Sequence, residues 1–168
     1  MNIVLIGFMC SGKSRVGREL AQRLGWTHLD TDEMITKDVG ASIADIIKKQ
    51  GEPAFRAVES KAVRLVASLD KTVISTGGGV PMDAANMKAL SERGRLVWLK
   101  VSPETVLNRA GNLKSRPLID PNDPLGSIRS RMAEREKFYS QAALRVEADT
   151  LSPQAAADKI LQMIPDAK

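Results

Sequence analysis

Eight residues near the start of the chain, Gly7-Phe8-Met9-Cys10-Ser11-Gly12-Lys13-Ser14, constrain the fold more than any other feature. They fit the pattern G-x-x-x-x-G-K-S, whose glycines let the backbone wrap around phosphate groups so that amide N–H groups and a helix N-terminus face the anion. The pattern carries weight only between a strand and a helix, and both flanks comply. Asn2 to Ile6 is a short, β-branched apolar run of the kind a strand buried on both faces shows. From Lys13 onward Val16, Leu20, Ala21 and Leu24 recur at helical spacing until Gly25, which ends the run as a C-cap glycine. Gly7, Cys10, Ser11, Gly12, Lys13 and Ser14 are therefore candidate contacts to nucleotide phosphates, with Lys13 adding a mobile charge and Ser14 placed to ligate Mg²⁺. Cys10 reads as a small residue that fits an internal loop position, a redox-sensitive thiol being the sharper alternative.

The remaining pattern repeats the order strand, loop, helix. A second strand over residues 27–29 runs into Asp30-Thr31-Asp32, and residues 34–69 read as several helices broken at Gly40, Gly51 and Pro53. That helical insert, about 31–69, has the material for a substrate pocket. A strand over 72–75 closes on Thr76-Gly77-Gly78-Gly79, and a helix over 83–93 and a strand over 96–100 follow. Residues 103–109 read as helix, whereas 111–124, with three prolines, reads as an exposed loop and candidate lid. A helix over 125–142, a strand over 144–147 and a helix over 153–164 complete the pass. Strands alternating with helices predict an α/β sandwich with a parallel sheet, one domain across 1–168, whose ligands gather at the carboxyl ends of the strands.

Composition narrows the partners. Cys10 is the only cysteine and His28 the only histidine, which rules out an intramolecular disulfide and a zinc cluster. No apolar run approaches the ~20 residues a membrane span needs, and no export signal precedes the loop, so a cytoplasmic protein without membrane contact is expected. The formal charge of +5 could suit nucleic acid, but 4% aromatic content and the lack of a dense basic tract favour an anionic small molecule instead. A monomer is the expectation.

The acceptor must be read from polar residues near strand ends. In extended geometry Asp30 and Asp32 point to one side, so one can face Mg²⁺ while the other meets an acceptor hydroxyl; a helix cap is the plainer reading. Arg56 and Glu59 stand at i and i+3 on a helix, where Glu59 can orient the guanidinium, or the two can form a plain surface ion pair. Three consecutive glycines, Gly77 to Gly79, raise the entropy cost of a turn and point to close backbone approach by a ligand. Arg109 and Arg116 flank the candidate lid, and Arg135 precedes Tyr139 by four residues; each alone reads as a solvated charge. Together, arginines for a carboxylate and an aspartate for hydroxyls describe a small anionic polyol.

The motifs GFMCSGKS, DTD at 30–32, FRAVE at 55–59, TGGG at 76–79, SRPLI at 115–119 and REKFY at 135–139 together resemble the shikimate kinase family along nearly the whole chain. The resemblance implies a three-layer α/β sandwich around a five-stranded parallel sheet, a P-loop NTPase fold of nucleoside monophosphate kinase type. It implies ATP-dependent phosphorylation of shikimate to shikimate 3-phosphate, within aromatic amino acid biosynthesis, with Mg²⁺ as cofactor. Asp32, Arg56, Arg135 and the Gly78 and Gly79 backbone would hold shikimate, with Asp32 as base. Asp30 would reach Mg²⁺ through water, Lys13 and Arg116 would neutralise the transferred phosphoryl group, Arg109 would lie against adenine, and 111–124 would close as the lid. Two departures stand out: Cys10 replaces a common glycine, and Asp149 to Pro153 lacks a basic residue that some members place beside adenine. The rivals are a small P-loop kinase acting on gluconate or a nucleoside monophosphate, against which GGG and FRxxE speak, and a nucleotide-dependent nucleic-acid module.

Overall fold

Every residue of β1 (Asn2–Ile6) is buried, because the strand lies in the middle of a sheet covered on both faces. The computed structural model describes residues 1–111 and 119–167. Its five strands, β1, β2 (Thr27–Asp30), β3 (Thr72–Ser75), β4 (Gly94–Lys100) and β5 (Leu144–Glu147), run parallel in the order β2-β3-β1-β4-β5. Alternation along β1 divides the core into two layers. Ile3 and Leu5 face α1 (Lys13–Leu24) and α8 (Pro153–Met163), packing on Val16, Leu20, Ala157 and Ile160. Val4 and Ile6 face the other layer, with Val63 and Val66 of α4 (Glu52–Ala67), Leu90 of α5 (Ala84–Arg93), Val106 of α6 (Pro103–Ala110) and Ile128 of α7 (Pro124–Tyr139). The result is the expected three-layer sandwich. A satellite cluster of Ile35, Ile46 and Phe55 ties α2 (Thr31–Val39) and α3 (Ile43–Gln50) to the start of α4.

Five readings need correction. Asp30 and Asp32 do not share an extended segment: α2 begins at Thr31, directly after β2, with Asp30 as its N-cap. Pro53 does not break a helix but sits in the first turn of α4, where its missing N–H costs nothing. β4 begins at Gly94, two residues earlier than expected, because its pairing with β1 starts at Asn2 opposite Gly94, where a β-carbon would stand 2.4 Å from the Leu90 carbonyl oxygen. α7 ends at Tyr139 rather than Ala142. The segment 111–124 is not an exposed loop throughout, since Ile119 is buried in the main core and Asp123 caps α7 by accepting from the Gly126 amide. Residues 112–118, which include Arg116, lie outside the described residues.

Candidate active site

The loop between β1 and α1 is shaped by its glycines. Gly7 has φ +147°, and a β-carbon on it would approach the Leu99 carbonyl to 2.6 Å. Gly12, at φ 97°, precedes α1 without a side-chain cap, which leaves the amides of the first helical turn facing the loop. Lys13 folds back across it, donating to the Gly7 and Phe8 carbonyls at 2.9 and 2.8 Å. Cys10 stands at φ 59°, a left-handed conformation that disfavours any side chain, and this is the physical content of its departure from glycine. At the helix end Ser14 Oγ donates to Asp30 Oδ2 at 2.5 Å, while Asp30 Oδ1 accepts the Asp32 and Glu33 amides. One oxygen of Asp30 thus caps α2, and the other takes the Ser14 hydroxyl of the phosphate loop.

A groove of about 610 Å³ runs from this loop along Cys10, Lys13 and Ser14 to Arg109, Leu151 and Pro153. Arg109 closes its far end, donating to the Ala148 and Asp149 carbonyls at 3.1 and 3.0 Å and to the Cys10 carbonyl at 3.5 Å. One guanidinium therefore joins the phosphate loop to the segment that follows β5.

The glycine turn after β3 lies against the same loop. A β-carbon on Gly78 would come within 3.4 Å of the Met9 amide nitrogen. The turn is gripped from three sides. The Gly77 amide donates to Thr31 Oγ at 3.0 Å, the Tyr139 hydroxyl donates to the Gly78 carbonyl at 2.7 Å, and Arg135 reaches the same carbonyl at 3.4 Å. At 77 and 79 a β-carbon would displace side chains of this chain: it would meet Asp32 Oδ1 at 2.6 Å at the first position and Arg56 Nη1 at 2.2 Å at the second. The three glycines predict that a ligand approaches this turn; what the structure sets against Gly77 and Gly79 is the chain's own Asp32 carboxylate and Arg56 guanidinium.

Arg56 is held by two carboxylates, Glu59 at 2.8 Å and Glu52 at 2.9 Å. Glu59 is 2% exposed, so this is no surface pair, and burial pushes its carboxyl up against the opposing pull of Arg56. Arg135 is likewise buried, its guanidinium 5.5 Å from the centre of the Phe8 ring. Asp32 is the outlier in charge: Oδ1 finds no hydrogen-bond donor among the described residues. Burial first, and then the Asp30 charge, push its pKa up to about 6, with Lys13 pulling the other way.

The fold brings Asp32, Arg56, Gly77, Gly78, Gly79 and Arg135 around one turn, and Lys13, Ser14 and Asp30 around the adjoining loop. Glu52, Thr31 and Tyr139 were assigned no role in sequence. Glu52 had a signal, the i to i+4 spacing to Arg56; Thr31 and Tyr139 had none, because their partners lie 46 and 61 residues away.

A phosphate loop beside a glycine turn, on which a raised-pKa carboxylate from α2 and arginines from α4 and α7 converge, defines a P-loop phosphotransferase with a small anionic acceptor. The comparisons agree and narrow it. The family model for shikimate kinase matches residues 9–165. Shikimate kinase of Moorella thermoacetica is 44% identical over 97% of this chain and 94% of its own length, and that of Symbiobacterium thermophilum is 43% identical over 99% and 97%. The solved shikimate kinase from Acinetobacter baumannii, in complex with shikimate, superposes with a TM-score of 0.94 at 36% identity, covering 99% of this chain and 94% of that one. The chain belongs to the shikimate kinase family, whose reaction is ATP-dependent phosphoryl transfer.

Proposed function

We propose that this chain transfers the γ-phosphoryl group of ATP to a hydroxyl of shikimate, giving shikimate 3-phosphate and ADP. The observation that carries the reading is the placement of Asp32: a carboxylate in the first turn of α2 with its pKa raised to about 6, set against a glycine turn that Arg56 and Arg135 also reach and that lies beside the phosphate loop. The relative solved with shikimate bound supports the same acceptor. Gluconate, with its carboxylate and hydroxyls, was the strongest rival and is not favoured by the relatives.

Arg56 and Arg135 bind the acceptor carboxylate, and the Gly78 and Gly79 backbone lines its ring. Asp32 accepts the hydroxyl proton as the oxygen bonds to the γ-phosphorus and the bond to the β–γ bridging oxygen breaks; in a loose transition state its first task is to orient that hydroxyl. Lys13 neutralises charge on the moving phosphoryl group. Arg116, outside the described residues, is assigned the same task from its place in the SRPLI motif. Arg109 lies beside the adenine, in line with its bridge from Cys10 to Asp149.

Ser14 Oγ and Asp30 are hard oxygen ligands 2.5 Å apart at the loop's helix end, a donor set that fits Mg²⁺. Ser14 would bind the ion directly and Asp30 through water, and the ion supplies charge neutralisation for the phosphate oxygens. A cytoplasmic monomer completes the proposal; among the described residues no helix is long and apolar enough to cross a membrane.

The test is an acceptor screen with purified protein, ATP and MgCl₂, following ADP release and product mass. Shikimate is expected to turn over at least about 10²-fold faster than gluconate or any nucleoside monophosphate. Preference for gluconate, or ADP release only with added nucleic acid, would overturn the assignment.

A further inference from the structure

Arg135 and Tyr139 stand one turn apart on α7, and their side chains converge on one atom, the Gly78 carbonyl oxygen. The two bonds are unequal. The Tyr139 hydroxyl donates at 2.7 Å, whereas Arg135 Nη1 stands at 3.4 Å, near the limit of a hydrogen bond. A carbonyl oxygen has two lone pairs, and the Tyr139 hydroxyl occupies the closer approach to this one, which leaves Arg135 a long, weak contact with the turn. Tyr139 itself has no freedom to do otherwise. It is 2% exposed, its ring packs 5.9 Å from that of Trp98, and burial raises its pKa against the pull of Arg135, so the hydroxyl keeps its proton at neutral pH.

We propose that Tyr139 is a positioning residue for the acceptor: its hydroxyl occupies the Gly78 carbonyl and thereby keeps the Arg135 fork directed at the acceptor carboxylate instead of at the protein backbone. Without the hydroxyl, Arg135 is free to shorten its 3.4 Å contact with the Gly78 carbonyl into a strong bond, which the guanidinium must then give up before it takes a ligand. The proposal deepens the shikimate reading and rests on it.

Tyr139→Phe keeps the ring and removes one oxygen. Shikimate KM should rise about 3- to 10-fold, the worth of one neutral hydrogen bond, with the KM of ATP within about twofold and kcat nearly unchanged. A double-mutant cycle separates positioning from plain stability. In an Arg135→Lys background, where no fork remains to be aimed, Tyr139→Phe should raise shikimate KM by less than about twofold. A lower melting temperature with unchanged shikimate KM, additive effects in the cycle, or equal losses for both substrates would each overturn the idea.

A ligand-free readout keeps the result independent of substrate identity. The Arg135 Nε–H resonance, identified by its absence in Arg135→Lys, should move in Tyr139→Phe as the guanidinium takes up the Gly78 carbonyl. An unmoved signal would sink the proposal. If the wild type ignores shikimate altogether, the functional reading falls, and this resonance still decides whether Tyr139 sets the position of Arg135.

Discussion

Asp32 and Gly77 lie so close that a β-carbon on the glycine would stand 2.6 Å from Asp32 Oδ1, well inside van der Waals contact. The backbone at 77 is not left-handed, so alanine is allowed there as a conformation and excluded only by its neighbour. Gly77→Ala should therefore fold yet displace the carboxylate, lowering kcat/KM for shikimate by about 10²-fold, the usual cost of misplacing a catalytic group by an ångström. At Gly78 the nearest neighbours of an added β-carbon would be 3.4 and 3.6 Å away, ordinary contacts. Gly78→Ala should keep its melting temperature within about 2 °C and raise shikimate KM at least ~10-fold, because only the ligand needs the space. Unaltered KM would show that no ligand approaches Gly78.

The raised pKa of Asp32 has opposite consequences for stability and turnover. Its folded value is about 6 against 3.8 in a model peptide, so the folded chain binds this proton more tightly than the unfolded one. The resulting stabilisation is complete below pH 4 and is lost as pH rises through about 6. At pH 8 the ionised carboxylate costs on the order of 1–3 kcal/mol. Asp32→Asn should raise the melting temperature at pH 8 by roughly 3–8 °C and have little effect at pH 4, while cutting kcat by at least ~10²-fold. The wild-type kcat/KM should rise with pH through about 6, following this group. A mutant that loses only ATP affinity would place Asp32 at the metal instead.

Lys13 has a structural role as well as a chemical one, since it spans the Gly7 and Phe8 carbonyls. Lys13→Met should lose a few degrees of melting temperature and about 10³-fold or more in kcat, because charge on the phosphoryl group grows most in the transition state. Circular dichroism and a single-turnover assay measure both. Near-normal turnover in a folded mutant would remove the phosphate-loop assignment.

Cys10 occupies a left-handed position at φ 59°, where a side chain costs roughly 1–2 kcal/mol. Glycine would relieve that strain but add ~0.5–1 kcal/mol of unfolded-state entropy, so the terms nearly cancel. Cys10→Gly should shift the melting temperature by less than about 4 °C and kcat by less than about threefold. Cys10→Val, whose branched β-carbon tolerates positive φ worst, should weaken ATP binding sharply. Equal ATP affinity in both variants would mean that the loop backbone at 10 does not shape the nucleotide site.

Local rules made much of this molecule readable. The loop at 7–14 is recognisable because phosphate binding needs glycine, lysine and serine at fixed spacing along one stretch of chain. α1 was legible to the residue, with Gly25 stopping it at φ 65°. Arg56 and Glu59 meet because three residues on a helix bring two side chains together. For Asp30 the sequence offered both an extended segment and a helix cap, and could not choose between them, since that depends on where the end of β2 meets α1 and Ser14.

Sequence by itself determined the donor half of the site, the order of strands and helices, and the residue types available to an acceptor, because each follows from contacts within a few residues. Tertiary structure alone decided which of those residues meet. It set Thr31 and Tyr139 on a turn 46 and 61 residues away from them, buried Asp32 until its proton is held to about pH 6, and spent two of three glycines on Asp32 and Arg56. Those facts arise from desolvation and from steric contact between distant segments, quantities that exist only once the sheet has brought the strand ends together.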